Sequence, residues 1–350
     1  MHDAKSRLFL TAGIAALGWG LVLAAKPAEA QSAAEFYKDR TVTVIVGSGA
    51  GGGYDVYTRM LTRHMVKHLP GTRLVVQNMP GASGLTAINY AFNAAPKDGS
   101  LISDAYSTMP LYPLLDGKNA QFDVFKFNWI GSIARATSVC IAWHTNSFKT
   151  LDDAMARPMK LSSTGATGWR SILPNFYNEV GGTKFDVVMG YDSAGAYLAI
   201  ERGEVDGSCT TYDTLMATAM DWLQNNRLTF LAQFGLQPLE AIRNVPMGLD
   251  RIKNKADREA AELVLSQQET GRPFLMPPGV PTDRVEFMRK AFMATMRDPE
   301  YLAETQKANL LVDSMDGASM DVLIKRAYAT PESSVKHAKA ILERASAEKK

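Results

Sequence analysis

Short apolar runs alternate with amphipathic segments along most of the chain. Residues 41–46 (TVTVIV) form a β-branched run that stops at Gly47, which is typical of a buried parallel strand. The next segment predicts a helix with one apolar face, because apolar side chains recur at every fourth position. These side chains are Tyr57, Leu61, Met65 and Leu69, and Pro70 follows them as a helix stop.

The same alternation continues to about residue 234. Further strands are predicted at 74–77, 101–105, within 129–143, and at 160–163, 185–189, 205–210 and 228–234. Helices are predicted between them at 85–95, 151–156, 170–180 and 194–202. Strands about 30 residues apart with a helix between them are βαβ units. The pattern therefore predicts mainly parallel sheets in two α/β halves of similar construction.

The C-terminal part is predicted to be helical. One apolar stripe is formed by Val285, Met288, Phe292 and Met296. Thr282 and Asp283 precede the stripe and are the expected N-terminal caps of this helix. Residues 338–350 are rich in charge, and we expect a solvent-facing helix or tail.

The first thirty residues have the pattern of a cleavable export signal. Lys5 and Arg7 precede an apolar run at 8–25, and Ala28 and Ala30 flank Glu29 as small residues do at a cleavage site. We predict cleavage after Ala30 and a periplasmic location. The alternative is a membrane anchor, since a run of this length is at the short limit for a spanning helix. The cleavage triplet and the lack of a following basic cluster favour the signal.

Charge and cysteine content narrow the class of protein. The chain has 38 basic and 36 acidic residues, and a net charge of +2 is too small to indicate a nucleic-acid partner. Its two cysteines, Cys140 and Cys209, do not make a disulfide-dependent scaffold in a chain of 350 residues. Two buried free thiols and one disulfide are both open, and the thiols are favoured.

A glycine-rich loop at 47–55 (GSGAGGGYD) joins the first predicted strand to the first helix. Backbone N–H groups at such a turn are unpaired and lie at the positive end of the helix dipole, which suits an anion. Gly47, Gly49 and Gly52 also fit a dinucleotide fingerprint. The second strand ends in Asn78 where that fingerprint requires an acidic residue, so no cofactor is predicted.

Catalytic and metal-binding patterns are weak. His64 and His68 lie four residues apart on the first helix and could hold a metal, but an acidic partner is missing before Pro70 and surface histidines are favoured. His144 follows a strand without a nucleophile motif beside it. We predict no catalytic residue, no metal site and no enzymatic activity. Loops at strand ends of two facing halves instead predict a binding cleft for a small carboxylate.

Six segments carry a family resemblance along the whole chain after the signal. They are 46–59 (VGSGAGGGYDVYTR), 76–84 (VQNMPGASG), 95–99 (APKDG), 203–207 (GEVDG), 277–281 (PPGVP) and 297–300 (RDPE). With these segments in this order, the chain resembles the substrate-binding proteins of tripartite tricarboxylate transporters, the TctC/Bug family.

The resemblance implies a two-lobed, type II periplasmic-binding-protein fold of the Venus-flytrap kind. Each lobe would be a mainly parallel sheet flanked by helices, with residues 31–134 and 265–350 in the first lobe and 135–264 in the second. It also implies a transport function, in which a small carboxylate is delivered to a membrane permease with a small and a large subunit. We expect a monomer without a cofactor.

The resemblance also places the ligand-binding residues on the loops after the strands. The first lobe would contribute Ser48, Ala50, Gly51, Gly52, Tyr54, Asp55, Ala82, Ser83, Ser107 and Thr108. The second lobe would contribute Thr164, Gly165, Ala166, Thr167, Arg170, Tyr191, Asp192 and Ser193.

Two departures from the family pattern affect the pocket. Ser48 replaces a residue that is usually aromatic, which should widen or polarise the pocket. Arg170 follows Trp169 where the family usually has serine or histidine. Arg170 either binds a ligand carboxylate or points outward to a surface acid, and both readings stay open.

Two other functions compete with transport. A ligand-sensing receptor for a membrane signalling partner would use the same loaded, closed form. A secreted enzyme using the same cleft would need a base that the motifs do not supply.

Overall fold

The structure is a computed structural model that describes residues 32–166, 168–191 and 193–347. The export signal predicted at residues 1–30 lies outside these ranges. Within them, no helix combines the length and the apolar character that crossing a membrane requires.

Eleven strands within the described ranges form two sheets. In chain order they are β1 Thr41–Val46, β2 Arg73–Asn78, β3 Leu101–Asp104, β4 Asn128–Ser132, β5 Ser138–Trp143, β6 Met159–Ser162, β7 Phe185–Val188, β8 Gly207–Thr211, β9 Leu228–Phe234, β10 Pro273–Met276 and β11 Met315–Asp316. The first sheet has the order β11-β4-β10-β3-β1-β2, and the second sheet has the order β7-β6-β8-β5-β9.

Helices connect the strands and cover the sheets. They are α1 Ala33–Tyr37, α2 Gly53–Met65, α3 Leu85–Asn93, α4 Tyr112–Leu115, α5 Leu151–Ala156, α6 Trp169–Gly181, α7 Ser193–Glu201, α8 Tyr212–Thr218, α9 Met220–Gln224, α10 Lys255–Leu265, α11 Gln267–Thr270, α12 Thr282–Thr295, α13 Pro299–Lys307, α14 Gly317–Tyr328 and α15 Glu332–Ala347. Two α/β units result, one around each sheet, as the sequence predicts.

The strand directions give two mixed sheets instead of the mainly parallel sheets that the sequence predicts, because parallel pairing is confined to β2-β1-β3 and β7-β6-β8. In the first sheet β1, β2, β3 and β4 point the same way, and β10 and β11 are reversed. In the second sheet β5 alone among the described strands runs against the others. β1 lies inside its sheet with Val42, Val44, Ile45 and Val46 all buried, which explains its unbroken β-branched run.

The chain crosses between the sheets twice, after β4 and before β10. The two crossing segments run side by side: the Arg272 N–H donates to the Ala134 carbonyl at 3.1 Å, and the Ala136 N–H donates to the Gln268 carbonyl at 3.1 Å. The Gln268 side chain also accepts from the Ser138 N–H at 2.5 Å. Paired segments of this kind suit a hinge between two lobes.

The last helix joins the second sheet's core. Val335, Ala338 and Ile341 of α15 pack in one buried cluster with Leu173 and Phe176 of α6. This helix belongs to the range 265–350 that was assigned to the first lobe, so its packing differs from that expectation. The boundaries of the lobes themselves stay a prediction.

Cys140 and Cys209 form a disulfide. They lie directly opposite each other on the neighbouring antiparallel strands β5 and β8, and both are fully buried. The favoured alternative of two free thiols is therefore wrong, because the sequence does not show that strands 69 residues apart pair in this register.

Two helix ends differ in detail from the prediction. α2 ends at Met65 and continues as a 3-10 turn through His68. Pro281 is the N-cap of α12, and Thr282 and Asp283 lie inside its first turn instead of capping it. Proline at this position fixes φ near its helical value, so the helix begins without a side-chain cap from them.

Candidate functional site

A cavity opens between the two sheets, and residues that follow strands of both sheets line it. Its walls come from segments that follow the carboxyl ends of strands: the loop after β1, the loop after β3, the loop after β6 and the end of β8. The lining residues are Ser48, Gly52, Gly53, Tyr54, Tyr106, Ser107, Thr108, Thr164, Gly168, Trp169, Arg170, Tyr197, Thr210, Thr211 and Thr214.

The amino terminus of α2 forms one wall. Gly52 is its N-cap, and within the described residues it has no side-chain cap. The first N–H groups of a helix lack partners inside the helix and lie at the positive end of its dipole. At Gly53 a Cβ would lie 2.8 Å from Thr214 Oγ1 and 3.1 Å from Arg272 Nη2, so this close approach requires glycine.

Two stacked tyrosines extend the same wall. The rings of Tyr54 and Tyr106 lie 4.4 Å apart at an interplanar angle of 9°. The Tyr54 hydroxyl accepts from the Ser107 N–H at 2.9 Å and donates to the Gly271 carbonyl at 3.3 Å. These bonds fix the ring, and burial raises the pKa of Tyr54 so that the hydroxyl stays protonated.

The amino terminus of α6 forms the facing wall. Gly168 is its N-cap, again without a side-chain cap in the described part of the chain. Trp169 is buried and donates its indole N–H to Ser138 Oγ. Two helices thus direct the positive ends of their dipoles at one cavity, which is an arrangement that favours anions.

Arg170 faces the cavity. Its Nη2 donates to the Tyr197 hydroxyl at 3.2 Å and to Thr210 Oγ1 at 3.3 Å, and the guanidinium carbon lies 5.0 Å from the centre of the Tyr197 ring. Its Nη1 is buried without a hydrogen-bond partner among the described residues. The alternative in which Arg170 points outward to a surface acid is therefore wrong.

A second unsatisfied polar atom lines the cavity. Thr108 is fully buried, and its Oγ1 finds no hydrogen-bond partner within the described ranges. Buried polar groups are nearly always hydrogen-bonded, since an unpaired one costs about 1–3 kcal/mol. Thr108 and Arg170 both line the cavity, and each has a buried polar atom without a partner among the described residues.

Carboxylates near the cavity are engaged in holding its walls. Burial raises the pKa of Asp55, but hydrogen bonds from Arg59, the Gly51 N–H and Asn78 outweigh burial and hold that pKa below its usual range. The Gly51 bond is 2.9 Å long and spans the glycine loop. Asp55 therefore stabilises the conformation of the glycine loop and is not itself among the lining residues.

The structure brings seven of the predicted ligand-binding residues to the cavity. These are Ser48, Gly52, Tyr54, Ser107, Thr108, Thr164 and Arg170. The predicted residues Ala50, Gly51, Asp55, Ala82, Ser83, Gly165, Ala166 and Tyr191 are not among its lining residues. Thr167, Asp192 and the side chain of Ser193 lie outside the described part. Ligand contact by any of these residues stays a prediction.

Sequence reasoning missed eight lining residues. They are Gly53, Tyr106, Gly168, Trp169, Tyr197, Thr210, Thr211 and Thr214. Thr210 ends the strand predicted at 205–210, and Thr211 and Thr214 follow it, so applying the rule of strand carboxyl ends to that strand finds all three. Tyr197 lies within α7, and its position in the wall depends on how α7 packs against β6 and β8.

The two histidines of the first predicted helix, His64 and His68, contact acidic side chains instead of a metal site. His64 Nε2 lies 2.6 Å from Glu304 Oε2, and His68 Nε2 lies 3.3 Å from Asp298 Oδ2. His64 is 6% exposed, so its expected surface position is wrong. It is covered because α13 packs across α2. Among the described residues, histidine, cysteine and acidic side chains form no group of three that could hold a metal.

The two mixed sheets and the cavity between them define the two-lobed fold of periplasmic binding proteins. The structure is similar to that of the periplasmic binding protein BugD, with a TM-score of 0.70 and 18% identity over 89% of this chain and 99% of that one. It is also similar to MatC from Rhodopseudomonas palustris with bound malate, with a TM-score of 0.67 and 17% identity over 87% and 99%. The two-lobed fold that the resemblance implies is confirmed, with a mixed sheet in each lobe.

Sequence relatives agree with this fold. A UPF0065 protein in the gbd 5'region of Cupriavidus necator is 33% identical over 156 residues, 43% of this chain and 46% of that protein. A UPF0065 protein of Bordetella bronchiseptica is 29% identical over 106 residues, 30% of each chain. The matches thus span less than half the length of these relatives. No family model matches the chain. Together, these sequence relatives and the structures support the resemblance to the TctC/Bug family.

Proposed function

We propose that this protein is a solute-binding receptor that captures a small carboxylate in the cavity between its sheets. The observation that carries the proposal is the convergence of two helix amino termini and Arg170 on one cavity. Each of these features stabilises negative charge, and Arg170 Nη1 and Thr108 Oγ1 are two donors that a carboxylate would pair.

The relatives supply the physiological setting of the proposal. Solved structures with this fold are described as a periplasmic transporter, as MatC with bound malate and as a Rhodopseudomonas palustris protein with adipate. We therefore propose that the loaded protein acts in the periplasm as a monomer. It would deliver its carboxylate to a tripartite tricarboxylate-type permease with a small and a large membrane subunit.

We propose binding without catalysis. The lining side chains in the described part of the chain are hydroxyls, aromatic rings and one guanidinium. Such groups donate hydrogen bonds and pack against a ligand, which is the work of a receptor.

Thermal unfolding of the protein purified from the periplasm of an expressing bacterium tests the receptor function. A panel of mono-, di- and tricarboxylates is added, with NAD as a negative control. A ligand that binds only the folded form raises the melting temperature, since it adds about 2.7 kcal/mol at one hundred times its dissociation constant. We expect carboxylates of one class to do so and NAD to have no effect.

A matched pair of variants locates the binding. Thr108→Val removes the unpaired hydroxyl in the cavity and should weaken carboxylate binding about tenfold. Thr295→Val removes an equally buried hydroxyl that bonds to the Ala291 carbonyl in α12, and should leave binding unchanged. A panel without any shift, on protein shown by mass spectrometry to carry no co-purified ligand, would contradict the proposal.

A further inference from the structure

The cavity contains more aromatic surface than a carboxylate needs. Tyr54 and Tyr106 line it from the first sheet, and Trp169 and Tyr197 line it from the second. Aromatic rings prefer to contact other rings in offset or edge-to-face geometry. A wall of rings on each side therefore suits a flat, unsaturated ligand.

The rings are held firmly in place. Tyr54 is fixed by two hydrogen bonds and stacks on Tyr106, as described above. Tyr197 packs edge-on against Trp222 with ring centres 5.2 Å apart. Trp169 is held by its bond to Ser138. Rings that are already ordered lose little conformational freedom when a ligand binds, so their contact area contributes efficiently to affinity.

Arg170 is the one charged side chain among the described residues that line the cavity. It forms no ion pair with the described part of the chain. The neighbouring Arg272 is already paired with Asp213, and its ring contacts are with Tyr54 and Tyr57. Removing a carboxylate from water is costly unless an opposite charge pairs with it. A guanidinium that has no ion pair among the described residues therefore suits a ligand carboxylate.

We propose that the ligand is a small aromatic monocarboxylate, with its carboxylate on Arg170 and its ring between the aromatic walls. This inference rests on the proposed receptor function and names its substrate class. Arg170 acts as the specificity-determining residue, because a guanidinium can donate two parallel bonds to a carboxylate. Thr108, Thr164 and Thr211 line the same cavity, and the Thr108 hydroxyl, which has no partner among the described residues, can donate to a ligand oxygen.

Calorimetric titration of the native protein with four acids tests the substrate class. Benzoate is the aromatic monocarboxylate, cyclohexanecarboxylate is its saturated counterpart, and succinate and adipate are aliphatic dicarboxylates. We expect benzoate to bind at least ten times more tightly than each of the other three. Equal binding of cyclohexanecarboxylate would overturn the role of the rings. Tighter binding of either dicarboxylate would overturn the inference and leave the receptor function standing, whereas failure of all four and of every acid in the thermal panel would remove both.

Variants test the two parts of the site separately. Arg170→Gln should weaken benzoate binding at least thirtyfold, and Arg170→Lys should recover part of the loss by restoring the charge without the planar fork. Arg202→Gln, at an exposed arginine outside the cavity, should bind benzoate like the native protein. Tyr106→Leu should reduce the preference for benzoate over cyclohexanecarboxylate.

The outcomes are separable even if a variant folds poorly. Unchanged benzoate affinity in Arg170→Gln overturns the role of the arginine. If that variant lacks a cooperative melting transition, the ligand ranking on the native protein decides the inference by itself. Quenching of Trp169 fluorescence by benzoate, lost in Trp169→Phe, gives an independent readout of a ring close to that wall.

Discussion

Asp104 shows how one buried residue supports the site without lining it. It ends β3 at 1% exposure, accepts from the Gly47 N–H at 2.9 Å with Oδ1, and accepts from the Thr58 hydroxyl at 3.3 Å with Oδ2. Burial raises the pKa of Asp104 to about 7, against the lowering effect of these two bonds and of Arg272. The start of the glycine loop therefore depends on a carboxyl group that titrates near neutral pH.

The first prediction concerns the pH dependence of stability. Because the folded chain holds a proton on Asp104 up to about pH 7 and the unfolded chain loses it near pH 4, Asp104 stabilises the fold at low pH and this contribution is lost as the pH rises through that window. The slope approaches about 1.4 kcal/mol per pH unit. Asp104→Asn keeps an acceptor for the Gly47 N–H and should flatten the slope.

Urea unfolding from pH 4.5 to pH 8 measures this effect. Asp186→Asn, at an exposed aspartate of β7, is the control and should reproduce the native slope. If the native protein and Asp104→Asn give parallel curves of stability against pH, the assignment of the slope to Asp104 is wrong.

At the scale of elements, the amino terminus of α6 meets the 3-10 turn Ala82–Gly84. A Cβ on Gly168 would lie 2.7 Å from Ser83 Oγ and 3.2 Å from Ser83 Cβ. Ser83 itself has a left-handed φ of 53°. This contact joins a loop of the first sheet to a helix of the second sheet beside the cavity, so it limits how closely the two can approach.

The second prediction is that Gly168→Ala weakens ligand binding while preserving the fold. Gly168 has φ −80° and ψ 150°, which alanine adopts freely, so α6 should still form. The added methyl group should push α6 away from Ser83 and raise the dissociation constant about tenfold, as an imposed misfit of 1–3 kcal/mol would. Calorimetric titration with a carboxylate that raises the melting temperature in the thermal panel measures this dissociation constant.

Two companion variants make this test specific. Gly49→Ala adds a methyl group where no described atom lies within 4 Å, and it should bind normally. Ser83→Gly combined with Gly168→Ala should restore affinity, because it removes the opposing side chain at a position where glycine is conformationally favoured. Normal affinity in Gly168→Ala alone would show that this contact does not limit the approach.

The elements themselves were largely predictable because their signals are local. The β-branched run at 41–46 and the short helix at 151–156 have the predicted bounds. The cavity was only partly predictable, because Tyr197 and Thr214 reach it through packing between elements distant in sequence. The same holds for the Cys140–Cys209 disulfide and for α15, whose partners depend on strand register and tertiary packing.

At the scale of the whole molecule, a buried ion pair joins the two sheets. Arg272 precedes β10 of the first sheet, and Asp213 lies in the first turn of α8, which follows β8 of the second sheet. Arg272 Nε donates to Asp213 Oδ2 at 2.7 Å, and the two residues are 3% and 1% exposed. Burial opposes the charge of Arg272, but Asp213, Tyr57 and Tyr54 together outweigh burial, so the pKa of Arg272 is raised and the guanidinium stays charged.

The third prediction concerns the loss of one partner of the Arg272–Asp213 ion pair. Asp213→Leu leaves a buried guanidinium without its counter-ion and should lower the free energy of unfolding by about 3–5 kcal/mol. Arg272→Met leaves the buried Asp213 carboxylate without its counter-ion and should lower the free energy of unfolding by a similar amount. The double variant replaces both charges with apolar groups and should cost clearly less than the sum of the single changes, since no charge is then left buried and unpaired.

Urea unfolding of the native protein, the two single variants and the double variant gives the coupling free energy between Arg272 and Asp213. We expect this coupling free energy to exceed about 2 kcal/mol. Glu240→Gln breaks the exposed Arg243–Glu240 pair and should change stability little, because exposed pairs are screened by water. Additive losses would mean that the two residues act independently. Strong coupling would instead show that the pair fastens the second crossing segment to α8, so that the walls of the cavity and the connection between the sheets depend on the same interaction.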